Sequence, residues 1–297
     1  MKPIINPIDR EILLSELSSS AELLRTTRHG NNEIYSFTAA SAPNLMREVG
    51  RLREEAFRSG GGGTGEEVDI DADDMATDGY CQLIAWDPTT KEVIGGYRYI
   101  ICSSSEQKHL STEHYFRFSQ EFREEYLPYT LELGRAFVNP GVDMLRGVYA
   151  LDNLWDGIGA LIKNNSNIKY LLGKVTMYSS YNIEARNMLF YFLRKHYPTS
   201  KNLVEGLHPI SMDIDTESLN KIFTGSSFDE DYKILRAKIR DFEEVIPPMF
   251  NAYINLTNAM RIFDSVYNPE LGNVYETGIL VPIESIYPAK YERYTTW

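Results

Sequence analysis

The sequence predicts an α+β fold in which helices pack in layers on a mixed sheet. Three observations carry this. Two β-rich runs, 80–86 and 92–101, flank the turn-forming stretch Asp87-Pro88-Thr89-Thr90-Lys91, a hairpin signature. Apolar runs of strand length recur at 131–138, 169–178 and 278–283. Between and after them, apolar residues fall at helical spacing, as in Phe228, Tyr232, Leu235, Ile239 and Phe242. Alternating helix and strand signals of this kind indicate layered packing around one core.

Residues 1–44 read as a helical extension outside the main domain, with Ile12, Leu13, Leu14 and Leu17, then Leu23 and Leu24, suggesting one or two short amphipathic helices. A helix over 43–58 is clearer: Leu45, Val49, Leu52 and Ala56 share a face, and Pro43 suits the first turn. Ser59 and the glycines at 60–63 cannot continue it. Gly60, Gly62 and Gly65 match G-x-G-x-x-G in spacing, but they follow a helix where a dinucleotide site follows a strand. The stretch is therefore a flexible linker or a mobile loop beside a site.

Asp69, Asp71, Asp73 and Asp74 come next. They begin like a calcium loop, yet Asp74 replaces the turn glycine and Tyr80 the bidentate glutamate, so an EF-hand is rejected. A carboxylate cluster behind a glycine loop suits a cation such as an ammonium group; an acidic surface loop is the plainer alternative.

The second hairpin strand carries Arg98, which needs an anionic partner, and 103–128 is polar, aromatic and irregular with a short helix. The strand at 131–138 is the centre of the chain. It reads as buried, yet holds Glu132 and Arg135, and charges inside an apolar strand are costly unless paired or used. A structural Glu–Arg pair is one explanation and an active-site strand the other. Leu154, Trp155, Ile158, Leu161 and Ile162 then form a helical stripe, Asn182 caps a helix over 183–196, and a last helix runs through Met249, Tyr253, Leu256 and Met260.

A formal charge of −12 argues against a general nucleic-acid binder. Cys81 and Cys102 are too few for a disulfide framework or a zinc site. Apolar runs fall short of the roughly 20 residues of a membrane helix, so the expected location is the cytoplasm, with peripheral contact at the inner face of the membrane left open. No G-x-S-x-G, H-E-x-x-H or C-x-x-C motif is present. What remains is a carboxylate-centred site with arginines, suited to deprotonating an amine and binding a carboxylate.

The ordered motifs resemble a known family. Ala56-Phe57-Arg58, Gly63-Thr64-Gly65-Glu66 and Asp69-Ile70-Asp71 through Asp74 form a first signature, Val93-Ile94-Gly95-Gly96-Tyr97-Arg98 a second, and Leu131 to Val138 a third. Leu154-Trp155-Asp156-Gly157-Ile158, Tyr170 to Thr176 and Ile246-Pro247-Pro248-Met249 agree in order. Together, over residues 45–297, they resemble the GNAT-fold, hemolysin-like N-acyltransferases that make lyso-aminolipids from ornithine or glycine, with acyl-homoserine-lactone synthases as distant relatives.

The resemblance implies a central mixed sheet whose middle strands splay to admit a pantetheine arm. It implies an acyl group, 3-hydroxyacyl in type, carried on the phosphopantetheine of acyl carrier protein, with no bound cofactor. The CoA-type pyrophosphate loop is poorly kept, Arg146-Gly147-Val148-Tyr149-Ala150 preserving its first Arg and last Ala, which favours the carrier protein over CoA. Arg146 and Gly147 are the expected phosphate contacts. The acceptor expected first is glycine, its carboxylate near Arg98 or Arg135 and its ammonium near Asp71 or Asp74. Glu132 is the expected general base, directly or through water, and Phe57, Phe137 and Val138 the expected substrate-lining residues. Ornithine or another acceptor, or a non-catalytic acyl-carrier or lipid-binding module on the same fold, are the alternatives.

Overall fold

The computed structural model describes residues 1–197, 203–211 and 214–297. Helix α1 (Arg10–Ser20) leads into strands β1 (Glu22–Thr26) and β2 (Glu33–Thr38). Helix α2 (Pro43–Ser59) and the single turn α3 (Ala72–Met75) precede the hairpin β3 (Cys81–Asp87) and β4 (Glu92–Ile101). Strand β5 (Phe116–Phe118) lies among helical turns at Ser111–His114, Phe122–Tyr126 and Leu127–Tyr129. Then follow β6 (Thr130–Val138), α4 (Met144–Asn164), β7 (Tyr170–Met177), α5 (Ile183–His196), β8 (Val204–Gly206), α6 (Thr216–Ile222), α7 (Phe228–Asp241) and α8 (Pro248–Ile254). The chain closes with β9 (Arg261–Asn268), β10 (Val274–Pro282) and α9 (Pro288–Thr295).

Among the described residues, eight strands form one sheet in the order β1-β2-β3-β4-β6-β7-β10-β9, and β5 pairs β8 separately. Neighbours in the large sheet run antiparallel except β6 and β7, which are parallel. This is the mixed sheet flanked by helices that the sequence predicted.

Alternation along the strands sends apolar side chains to both faces. On one face Ile84, Trp86 and Phe137 pack with Leu13 and Leu17 of α1 and Leu45, Val49 and Leu52 of α2. On the other, Leu83, Ala85, Leu131 and Leu171 pack with Leu154 and Ile158 of α4 and with α5 and α8. The N-terminus of α2 has no side-chain cap of its own; Glu16 of α1 accepts from Asn44 N and Leu45 N at 3.1 and 2.8 Å instead. Helix α9 lies directly on α4 because Gly159 carries no side chain: a Cβ there would stand 2.0 Å from Tyr294 O.

Three elements depart from the sequence reading. Leu23 and Leu24 lie in β1, so residues 22–38 extend the sheet by two strands where helix was expected. These strands are short, and in β1 the buried side chain is Arg25, bonded to Tyr294 O at 3.0 Å, so its apolar alternation is weak. Helix α8 stops at Ile254, and Met260 instead precedes β9. Asn255 caps it, and Thr257 Oγ1 accepts from Ala259 N at 3.0 Å to turn the chain. Residues 103–129 hold β5 besides helical turns. Among the described residues, no helix is long and apolar enough to cross a membrane.

Candidate active site

The sheet is open at its centre. Strands β6 and β7 pair from Thr130↔Tyr170 to Leu133↔Gly173 and no further. Beyond that point β6 stays with β4 as far as Gly95↔Val138, while β7 stays with β10 as far as Tyr275↔Met177. Residues 134–138 and 174–177 therefore diverge as the two sides of a wedge. A bulge in β6 accompanies the divergence: Arg98 faces Gly134 and Gly96 faces Phe137, leaving Arg135 and Ala136 opposite Tyr97 alone. Bulges bend a strand and increase its twist. Arg135 itself has φ 51°, a left-handed conformation that an L side chain holds when its surroundings impose it. Its guanidinium lies 3.5 Å from Asp69 and 3.4 Å from Asp71.

A cavity of about 680 Å³ fills the wedge, with lining drawn from both faces of the sheet. On the α2 face the lining carries the charges of Asp71, Arg98, Arg135, Lys174 and Glu276 with the Ser111 hydroxyl, beside the apolar Phe57, Ile70 and Phe137. On the α4 face it is apolar, with Tyr97, Leu133, Leu151, Met249 and Tyr253.

The acidic loop and the arginines form one network. Arg98 Nη1 bonds Asp71 at 2.7 Å and lies 3.2 Å from Asp74. Arg53, fully buried on α2, pairs with Asp74 at 3.2 Å and donates to Gln82. Burial pushes the Asp71 carboxyl up, but Arg98 and Arg135 outweigh it and hold it well below the usual carboxylate range. Asp69, more deeply buried and without a hydrogen-bond donor, is raised by that burial, the arginines opposing. Asp71 also caps α3 in a reciprocal box with Asp74, so the same carboxylates fix the loop.

Glu132 is fully buried behind the cavity wall. Its Oε1 accepts from Ser111 Oγ at 3.1 Å, Thr112 N at 2.9 Å and Thr112 Oγ1 at 2.6 Å. Ser111 does face the cavity, and its Oγ accepts from Lys174 Nζ at 2.9 Å. Burial pushes the Lys174 ammonium down to about 8, with Glu132 and Glu276 opposing. Glu276 is held by Thr176 Oγ1 at 3.1 Å and Asn268 Nδ2 at 3.2 Å.

A second, smaller cavity of about 370 Å³ adjoins the first and shares Phe57, Ala136, Phe137, Val138 and Tyr178 with it. It lies at the N-terminus of α4, where Asp143 caps the helix and Gly147 contributes to the wall. Arg146 points elsewhere, to Asp87 at 2.7 Å and Glu92 at 3.1 Å.

Of the residues singled out from sequence, Arg98, Arg135, Asp71, Phe57, Phe137 and Val138 meet at the main cavity, and Gly147 lines the adjoining one. Three do not line either. Glu132 is one hydrogen bond removed from the cavity, which closes the direct route to a substrate amine. Asp74 is sealed under Arg53 and Arg98, so an ammonium has no path to it. Arg146 is paired with the hairpin carboxylates and lines neither cavity. Lys174 and Ser111 escaped the sequence reading. The signal for Lys174 was the one that exposed Glu132: a charge inside an apolar strand.

Comparison with known proteins agrees with the geometry. Residues 52–155 match the acetyltransferase (GNAT) domain family. A glycine N(alpha)-acyltransferase of Phocaeicola vulgatus is 45% identical over 303 residues, covering 99% of this chain and 93% of that protein. One of Bacteroides thetaiotaomicron is 45% identical over 303 residues, covering 99% of this chain and 90% of that protein. The likeness thus takes in the N-terminal segment as well as residues 45–297. Among solved structures, the AHL synthase LasI is similar at 17% identity and TM-score 0.32, over 50% of this chain and 71% of that one. The chain belongs to the GNAT-fold N-acyltransferase family that includes these glycine N(alpha)-acyltransferases, and it is an acyltransferase.

Proposed function

We propose that this enzyme moves a fatty acyl group, 3-hydroxyacyl in type, from acyl carrier protein to the amine of glycine, giving an N-acyl amino acid of the lyso-aminolipid kind. The observation that carries this is the two-sided cavity at the wedge: apolar toward α4, charged toward α2, with unpaired β6 backbone between. The acyl chain lies along Tyr97, Leu133, Leu151 and Met249. The thioester carbonyl sits at the fork, where a β6 N–H without a β7 partner donates to the developing oxyanion. The acceptor takes the charged side, its carboxylate toward Arg98 or Arg135 and its ammonium toward Asp71, the half-buried carboxylate of the network. The names of the two relatives favour glycine as that acceptor.

A carrier-protein donor is favoured by the adjoining cavity. Among its described lining residues the charged group is Asp143, with neither lysine nor arginine, a poor match for the three phosphates of CoA. Purified protein is to be offered 3-hydroxyacyl carrier protein or the matching acyl-CoA, each with glycine, ornithine or serine, and products read by mass spectrometry. N-acylglycine from the carrier-bound donor, at least about tenfold above the CoA ester, is the expected result. Preferred acylation of ornithine replaces the acceptor, and preferred use of CoA replaces the donor. Carrier binding without product on any pair makes the chain a non-catalytic module and overturns the reading.

A further inference from the structure

Lys174 occupies a position that none of the roles above uses. It is the first β7 residue past the last β6–β7 pair, so its side chain stands at the fork of the wedge. Gly173 and Val175 turn toward the α4 face, and Lys174 toward the charged one, across β10 from Gly278. Its ammonium opens onto the cavity and donates to Ser111 Oγ at 2.9 Å, and Ser111 Oγ donates in turn to Glu132 Oε1 at 3.1 Å. A buried carboxylate is thus coupled to a cavity-facing amine through one hydroxyl.

We propose that Lys174 is the general base of the transfer, taking the proton directly from the acceptor nitrogen and returning it to the sulfur of the leaving thiol. The proposal rests on the acyl-to-amine reading above. The acceptor reacts as the free amine, its ammonium having first released one proton to solvent; the nitrogen lone pair then forms the C–N bond and the C–S bond breaks. The proton shed by nitrogen passes to neutral Lys174 Nζ, and the ammonium so formed protonates the departing thiolate. No other reactant is needed. Glu132 is a positioning residue: it fixes Ser111 and offsets the charge that Lys174 gains.

Two features favour this over a lysine that merely anchors the acceptor's carboxylate. Arg98 and Arg135 already supply permanent cations on the same side of the cavity. Lys174 instead titrates near 8, burial being the main cause, close to the roughly 8.5 of an ordinary thiol. A base works best near the operating pH, and near-matched values let the proton go out and back with little loss. The groups around this part of the cavity act in both directions. Glu132 on β6 and Glu276 on β10 raise Lys174, while Arg98 on β4 and Arg135 on β6 lower it. His114, Tyr115 and Asp71 share the wall.

The test is the pH dependence of kcat/KM for acyl transfer in wild type, Lys174→Arg, Lys174→Met and Glu132→Gln, with acyl-carrier binding measured in parallel. Arginine keeps charge and bulk but stays protonated. Lys174→Arg is therefore expected to bind the donor normally and lose about 10²–10⁴-fold in kcat, with the limb rising through about 8 abolished. Glu132→Gln removes the carboxylate that raises Lys174, so its limb moves to lower pH. A limb set by the acceptor's own amine moves in neither variant. If Lys174→Arg turns over like wild type, or raises the glycine KM while sparing kcat, Lys174 is an anchor or a structural group and the proposal is wrong. Should Lys174→Met not fold, Lys174→Arg alone decides. Absence of product from wild type itself refutes the acyl-to-amine reading, a separate outcome.

Discussion

Arg135 and Asp69 show how far single residues in this site depend on one another. Asp69 is buried, neither of its oxygens has a hydrogen-bond donor, and Arg135 at 3.5 Å supplies its compensation within ion-pair distance. Arg135 holds a left-handed backbone at the bulge to reach it. Removing one partner of a buried pair strands the other, which costs about 3–5 kcal/mol. Arg135→Ala is therefore expected to lose stability on that scale in urea unfolding at neutral pH, and Asp69→Asn in the same chain to recover much of it. The pH dependence has a definite sign. A carboxyl raised by burial weakens the fold above its unfolded value of about 3.9. The Arg135→Ala deficit should therefore shrink as pH falls and Asp69 takes up a proton. A deficit independent of pH and untouched by Asp69→Asn would assign the loss to the bulge backbone instead.

Among the elements, the glycine loop at 60–66 changes most between sequence and structure. Composition suggested a flexible linker or a mobile loop beside a site. The loop does border the cavity, through Thr64 and Glu66, but it is tied down by Glu54 of α2. The Glu54 carboxylate accepts from Thr64 N at 2.9 Å, Thr64 Oγ1 at 2.8 Å, Gly65 N at 2.8 Å and Arg58 Nε at 2.7 Å. Gly62 lies against the β9–β10 turn, where a Cβ would meet Leu271 O at 2.8 Å. Glu54→Ala should speed amide exchange across 60–66, each charged hydrogen bond lost costing about 1.5–3 kcal/mol, while α2 stays protected. Burial pushes Glu54 up, but the Thr64, Arg58 and Gly65 bonds prevail and hold it below the ordinary carboxylate range. The tie is thus intact above that range and lost as pH falls through the lowered value, so acid opens the loop in wild type. Equal exchange in Glu54→Ala and wild type at neutral pH would mean that backbone packing alone holds it. Elements with strong local signals were legible: β4 and α5 have the bounds the sequence predicted, Asn182 capping the latter. Those whose pairing comes from afar were not. Strands β1, β2 and β9 carry little alternation of their own and form because a neighbouring edge is available.

At the scale of the whole molecule the site is a consequence of register, which composition does not encode. Charges inside strands marked Glu132, Arg98 and Arg135 from sequence. Where β6 and β7 part, and hence that Ser111 and Lys174 face the cavity while Glu132 and Asp74 do not, depends on a bulge in one strand and on segments far apart in the chain. The cavity likewise joins β4, β6, β7, α4 and α8, and its apolar arm is closed by Leu151 and Met249, with Tyr97 Oη 3.5 Å from Met249 Sδ. If this arm holds the acyl chain, its length sets donor preference. Each methylene buried is worth about 0.8 kcal/mol, roughly fourfold in kcat/KM. Leu151→Trp fills part of the arm from half-buried ground, where added bulk disturbs the core little. It should therefore leave short acyl donors unaffected and reduce kcat/KM for long ones by about fourfold for each methylene displaced. The measurement is a series of carrier-bound donors of increasing length, with glycine held constant. A uniform loss at every length would place the chain elsewhere, because an arm that does not hold the chain cannot sense its end.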